Sequence, residues 1–155
     1  MIIGISGYVG NRLTGIGRVL ISVLHELAEQ NPMDEYIIFR NFDFMDYDVL
    51  SKHENILLVD VPYSKESGLK NIWWHQWLFQ KLLKQYHCDL AYIPNFTLLL
   101  RKVVPTIVTI HDLIEFNVPE KFSKLRMFYR KNICDPLMAK KSDHILTVSK
   151  SSYDD

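Results

Sequence analysis

Apolar residues along the chain alternate between short continuous runs and longer stretches in which they recur at spacings of three and four. The continuous runs predict six strands, at residues 2–6, 35–40, 55–61, 89–93, 105–110 and 143–148. The spaced stretches predict helices at residues 16–30, 69–87 and roughly 122–140. Residues 41–55 and 62–68 show neither pattern, so we expect irregular connections there.

This alternation of strands and helices predicts an α/β fold. Strands that are separated by helical segments imply crossover connections and a mostly parallel sheet. The strands are continuously apolar, which is typical of strands buried on both faces. We therefore expect an open, doubly wound, Rossmann-like sheet, and the 155 residues fit a single domain.

The net charge is zero, but the charges are unevenly distributed along the chain. Residues 1–60 carry 4 basic and 9 acidic side chains, whereas residues 61–155 carry 14 basic and 9 acidic ones. The basic part is either a solvated face or a surface for an anionic partner such as a phosphate or an acidic lipid. Nucleic acid is disfavoured as a partner, because no dense stripe of Lys and Arg occurs.

Cysteine use and leader patterns indicate a cytoplasmic protein. Cys88 and Cys134 match no metal-binding or redox spacing, which suggests buried thiols in a reducing compartment. Met1 leads directly into an apolar strand without a basic leader, so no signal peptide is expected. No apolar run approaches the ~20 residues of a membrane span. These features are also compatible with a cytoplasmic protein that contacts the inner face of the membrane peripherally.

Three features follow the ends of predicted strands, where an open parallel sheet binds its ligands. The first is the TGIGRV segment, with Gly15 and Gly17, where a helix N-terminus could face a phosphate. The second is Asn95 in the IPNF segment. The third is the pair His111 and Asp112, directly after the fifth strand. Each feature also has a purely structural explanation. The glycine segment could be a plain tight turn, Asn95 could be an ordinary turn residue, and the pair after the fifth strand could cap the strand end.

The other aromatic and histidine residues are expected to be structural. Trp73, Trp74, Trp77 and Phe79 favour a core helix face, with a sugar-stacking or membrane-facing surface as the alternative. The remaining histidines lack ligand-like partners in sequence; they are His25, His53, His75, His87 and His144. No metal site and no cofactor are therefore expected.

The ordered set of motifs resembles the N-terminal domain of GT-B glycosyltransferases, most closely the family 4 type. The set comprises TGIGR, DLAYIPN, PTIVTIHDL and AKKSDHILTVSKSS, and it spans essentially the whole chain. The resemblance implies a retaining transfer of a sugar from a nucleotide sugar to a glycan or a lipid-linked acceptor. It implies no cofactor, because the nucleotide sugar is a substrate.

The resemblance also implies roles for individual residues. The glycine loop and the start of its helix would bind the donor through Gly15, Ile16, Gly17 and Arg18. His111 would lie beside the donor sugar at the reacting centre, with Asp112 orienting its loop. Asn11 and Asn95 would face the acceptor.

The resemblance further implies a second domain, which this sequence does not contain. In such enzymes that domain carries an Arg/Lys clamp for the diphosphate and paired glutamates. We therefore expect residues 1–155 to be the acceptor-side domain, inactive alone and prone to self-association. The alternative is a non-catalytic binding subunit that docks a separate partner domain or the membrane surface.

Overall fold

The computed structural model describes residues 1–8, 15–41, 45–62, 68–95, 97, 99–111 and 124–150. The strands are β1 (Ile2–Gly7), β2 (Glu35–Arg40), β3 (Ile56–Asp60), β4 (Leu90–Ile93), β5 (Thr106–Ile110) and β6 (His144–Thr147). The α-helices are α1 (Gly15–Gln30), α2 (Gly68–Trp73), α3 (Phe79–Gln85), α4 (Lys124–Tyr129) and α5 (Asp135–Lys141). A 3-10 helix spans Met45–Lys52, and π-helical turns span Trp74–Leu78 and Arg130–Cys134.

The six strands form one parallel sheet in the order β3-β2-β1-β4-β5-β6. The chain moves outward from β1 through β2 to β3, and then returns to the other side of β1 to form β4. The point of reversal lies between β1 and β4, and in such sheets the ligand crevice opens there, beyond the carboxyl ends of the strands. The predicted doubly wound α/β fold is confirmed.

Side chains alternate between two cores, one on each face of the sheet. In β2, Ile37 and Phe39 belong to the core that also contains Trp74 and Phe79 from the helical segment before β4. Ile38 belongs to the opposite core, which α1 covers. The helix α1 contributes a stripe of buried residues at spacings of three and four, namely Gly17, Leu20, Leu24 and Ala28.

The sixth strand departs from the expectation that every strand is buried on both faces. Ile145 and Leu146 of β6 are 42% and 47% exposed. On the side of the sheet that α1 occupies, an apolar cavity of about 280 Å³ lies against β1, β4, β5 and β6, and Leu146 lines it with Tyr92 and Ile107. The prediction of burial on both faces is therefore wrong for β6, because it is an edge strand.

Two local predictions also need correction. Residues 41–55 were expected to be irregular, but they contain the 3-10 helix Met45–Lys52, with Leu50 fully buried. The tryptophans were expected to be core residues. Trp74 is fully buried, whereas Trp73 and Trp77 are 45% and 56% exposed, so only part of the group belongs to the core.

Both cysteines are buried, as their isolated positions in the sequence predicted. Burial raises the pKa of the Cys88 thiol to about 11. The thiolate is the reactive form of cysteine, so this residue is a packing group rather than a redox centre.

Candidate functional site

The carboxyl ends of β1, β4 and β5 lie side by side at the point where the strand order reverses. The polar residues predicted from the sequence fall on these ends: Asn95 follows β4 and His111 follows β5. The helix α1, which follows β1, begins at Gly15. We call this edge of the sheet the rim.

Asn95 joins the end of β4 to the segment that follows β1. Its side-chain Nδ2 donates a hydrogen bond to the carbonyl oxygen of Tyr8 over 3.0 Å. Its Oδ1 is also buried, and it has no hydrogen-bond donor among the described residues. A buried carbonyl oxygen without a donor costs about 1–3 kcal/mol, so Asn95 keeps an acceptor atom that a ligand hydroxyl could satisfy.

His111 joins the ends of β5 and β4. Its Nε2 lies 2.7 Å from the carbonyl oxygen of Pro94. A carbonyl oxygen can only accept, so Nε2 carries a hydrogen and donates it. The hydrogen bond fixes the orientation of the ring at the rim, next to Asn95.

The start of α1 presents backbone amides at the same edge. The first amides of a helix have no intrahelical acceptor, and the helix dipole adds positive character there. Among the described residues, a Cβ placed on Gly15 would meet no heavy atom within 4 Å, so they leave the backbone open to an approaching group. Arg18 is exposed one turn into the helix, whereas Gly17 is buried.

A buried hydrogen-bonded chain supports the rim from beneath. The Nδ1 of His75 lies 2.9 Å from the backbone oxygen of Asn71, so Nδ1 carries the hydrogen. His75 Nε2 therefore accepts from the hydroxyl of Ser6 at 3.0 Å, and Ser6 Oγ in turn accepts from Trp74 Nε1 at 3.1 Å. Thr97 donates to Asn71 Oδ1 over 3.1 Å. Burial lowers the pKa of His75 from 6.5 to about 4, so the ring is neutral at pH 7.

Two glutamines of the same helical segment hold the connection between β4 and β5. The Oε1 of Gln76 accepts hydrogen bonds from the backbone amides of Leu100 and Arg101. The Oε1 of Gln80 accepts from the amide of Val103, and its Nε2 donates to a backbone oxygen of the π turn. These bonds anchor the second part of the connection, before β5, to the helical segment.

The structure places Asn95 and His111 directly after the adjacent strands β4 and β5, and it places Gly15, Ile16 and Gly17 at the start of α1, the helix that follows β1. Arg18 belongs to the same helix start. Asp112 and Asn11 lie outside the described residues. Sequence reasoning missed Ser6 and His75, because contacts between residues that lie far apart in the chain leave no local pattern.

Comparison with protein families identifies the family to which this chain belongs. A family model described as Glycosyltransferase Family 4 matches residues 13–155, which is nearly the whole chain. The chain belongs to glycosyltransferase family 4. No individual curated protein matches it. The family resemblance inferred from the motifs is confirmed.

Among the described helices of this family 4 chain, none is both long enough and apolar enough to span a membrane.

Proposed function

We propose that this chain is the N-terminal, acceptor-side domain of a retaining glycosyltransferase that transfers a sugar from a nucleotide sugar to a glycan or lipid-linked acceptor. The observation that carries the proposal is the grouping of Gly15, Asn95 and His111 at one rim of a family 4 chain. That rim offers groups for each part of the reaction.

The start of α1 is proposed to face the donor diphosphate. The backbone at Gly15 is open, and the amides of the first turn favour an anion. Arg18 adds an exposed positive charge on the same turn. These groups supply part of the electrostatic stabilisation that a leaving diphosphate needs.

His111 is proposed to bind the donor sugar at the reacting centre. The hydrogen bond to Pro94 preorganises the ring, so little reorganisation is needed when substrate arrives. Its interaction with the donor would strengthen as charge develops during cleavage of the glycosidic bond, and only such strengthening accelerates the reaction. Asp112 is proposed to orient the same loop.

The acceptor is proposed to approach between the ends of β1 and β4. Asn95 Oδ1 is a buried hydrogen-bond acceptor in need of a donor, and sugar hydroxyls are donors. Asn11, which follows β1 in the sequence, is also proposed to face the acceptor.

A second, donor-binding domain is proposed to complete the enzyme. The described rim offers helix-start amides and Arg18, but a diphosphate leaving group needs a fuller cationic clamp. We therefore expect no measurable transfer by residues 1–155 alone. The test compares this chain with the same residues joined to a donor-binding domain, using a panel of nucleoside diphosphate sugars. Substantial turnover by the isolated chain would contradict the two-domain proposal.

The stereochemistry of transfer is tested in the same assay. Proton NMR of the early product reports its anomeric configuration, and retention of the donor configuration is expected. An inverted product would leave family membership intact but would refute the retaining mechanism.

One surface favours the alternative of a docking subunit. Leu69 is 81% exposed on the same helical segment that exposes Trp73 and Trp77. Aromatic residues of this kind are enriched at membrane interfaces, and the second part of the chain is basic. Sedimentation with anionic vesicles, compared between the wild-type chain and Trp77→Ser, would test for peripheral contact with the inner membrane face.

Self-association of the isolated chain remains a prediction, and the apolar cavity beside β6 supports it. Exposed apolar surface promotes association. Light scattering should show association at high concentration that Leu146→Glu reduces. Leu57→Glu is the control, because Leu57 is 50% exposed on β3, at the opposite edge of the sheet from β6. A strict monomer would contradict the prediction.

A further inference from the structure

Three potential metal ligands meet at the opposite end of α1 from Gly15. His25 and Glu29 lie four residues apart on α1, and His53 follows the 3-10 helix. His25 Nδ1 is 2.7 Å from His53 Nε2, and His25 Nε2 is 3.7 Å from Glu29 Oε1. One ligand atom from each of the three residues lies within 4.8 Å of the others.

The spacing explains why these side chains converge. Residues four apart on a helix lie on one face, one turn above the other, so His25 and Glu29 point in the same direction. The 3-10 helix is anchored against α1 through the core that contains Leu50 and Leu24. This packing brings His53, which lies three residues beyond Leu50, to the same helix face.

The ligand types fit a divalent metal ion that is intermediate between hard and soft, such as Zn²⁺. Two imidazole nitrogens and one carboxylate oxygen are a ligand set that Zn²⁺ uses, with water in the fourth tetrahedral position. Bond lengths of about 2.0–2.2 Å place tetrahedral ligand atoms roughly 3.3 Å apart. An ion binds only one nitrogen of each imidazole, and with one ligand atom from each residue the three atoms lie within 4.8 Å of one another. Side-chain rotations that bring these atoms closer by up to about 1.5 Å would reach the tetrahedral spacing.

The cluster is accessible to an ion from solvent. The side chains of His25 and Glu29 are 39% and 57% exposed, and His53 is partly exposed. They can rotate toward an ion without disturbing the core. The hydrogen bond between His25 Nδ1 and His53 Nε2 shows that the two rings are already adjacent, and ligation through these nitrogens would replace it.

We propose that His25, Glu29 and His53 form a binding site for one divalent transition-metal ion, with Zn²⁺ as the best chemical match. The site is separate from the rim, because ten residues of helix place His25 about 15 Å along α1 from Gly15. A bound ion would cross-link α1 to the segment that enters β3. It would stabilise this side of the sheet without taking part in sugar transfer.

Calorimetry with Zn²⁺ and absorption spectroscopy with Co²⁺ test the site in the wild-type chain. We expect one ion per chain and a visible Co²⁺ spectrum of the intense, tetrahedral kind. His25→Gln, His53→Gln and Glu29→Gln should each weaken binding at least tenfold. The matched control is His144→Gln, an exposed histidine on β6, which should bind like the wild type. Equal affinity in all variants would overturn the proposal.

A fifth variant separates ligation from a merely structural role. Glu29→His keeps a ligand at the same position and should retain Zn²⁺ binding, whereas Glu29→Gln should lose it. Zn²⁺ should raise the melting temperature of the wild-type chain, of His144→Gln and of Glu29→His, but not that of the three variants that lose a ligand. Mg²⁺, which prefers oxygen ligands, should have no such effect. Circular dichroism confirms that each variant is folded, and a rise in every variant would overturn the assignment.

Discussion

His111 Nε2 donates a hydrogen bond to the carbonyl oxygen of Pro94 over 2.7 Å, and this bond ties the end of β5 to the end of β4. The bond fits the structural interpretation, in which the histidine caps a strand end. It equally fits the functional one, because a catalytic ring must be held in place. The two roles predict different effects when the side chain is removed: a structural cap affects mainly stability, whereas a catalytic ring affects mainly turnover.

We expect His111→Ala to reduce turnover of the complete enzyme at least tenfold. Loss of one preorganised donor at a charged transition state costs roughly 3–4 kcal/mol, or about a hundred- to thousandfold in rate. Loss of the bond to Pro94 should lower the free energy of unfolding by only about 1 kcal/mol. Single-turnover rates and denaturant unfolding measure the two effects. Easy unfolding with normal activity per folded molecule would mean that the residue is only a cap.

The start of α1 gives a second prediction. Gly15→Val should reduce donor binding by the complete enzyme at least tenfold, because a branched side chain would block the backbone from the phosphates. The same change should alter the free energy of unfolding by less than about 0.5 kcal/mol, since the added Cβ meets nothing within 4 Å. Donor titration and chemical denaturation of the variant measure these effects.

Gly4→Ala is the matched control for Gly15→Val. A Cβ on Gly4 would clash with Leu83 and lie 2.8 Å from the Cys88 sulfur. Overpacking of this kind typically costs 1–3 kcal/mol, so Gly4→Ala should lower stability without altering donor affinity per folded molecule. Normal donor affinity in Gly15→Val would show that its loop is a plain tight turn.

The sequence predicted a parallel, doubly wound sheet but not the order of its strands, and it predicted which polar residues follow the strand ends. Parallel strands must end on a common edge, so Asn95 and His111 could be assigned to it from their positions after apolar runs. The support beneath the rim could not be predicted, because Ser6 and His75 are 69 residues apart. The meeting of His25 and His53 was missed for the same reason, and both had been interpreted as ordinary histidines without ligand-like partners.

The end of α3 gives a prediction about stability alone. His87 has a φ of 52°, and the backbone amides of His87 and Cys88 bond to the oxygens of Lys84 and Leu83. This is the Schellman arrangement, in which glycine is preferred at the left-handed position. His87→Gly should therefore raise the free energy of unfolding by about 0.5 kcal/mol, the left-handed cost less the entropy cost of glycine. Urea denaturation measures it, and a loss of 1 kcal/mol or more would contradict the account.

The buried histidine beneath the rim predicts sensitivity to acid. Burial lowers the pKa of His75 from 6.5 in the unfolded chain to about 4 in the folded one. Between these values the unfolded state binds more protons, so stability falls as the pH falls from about 6.5 toward 4. Each pH unit contributes up to about 1.4 kcal/mol, and the total approaches about 3 kcal/mol near pH 4.

The variant His75→Gln isolates this contribution. It should be less stable than the wild type at pH 7, because the bonds to Ser6 and Asn71 are altered. Its free energy of unfolding should nevertheless depend less steeply on pH between 6.5 and 4, whereas the control His144→Gln should follow the wild type. Identical pH slopes in His75→Gln and the wild type would refute the assignment.

Protonation of His75 Nε2 removes the acceptor for Ser6, which lies two residues before Tyr8. The ends of β1 and β4 should therefore lose protection from hydrogen exchange before the rest of the sheet as the pH falls.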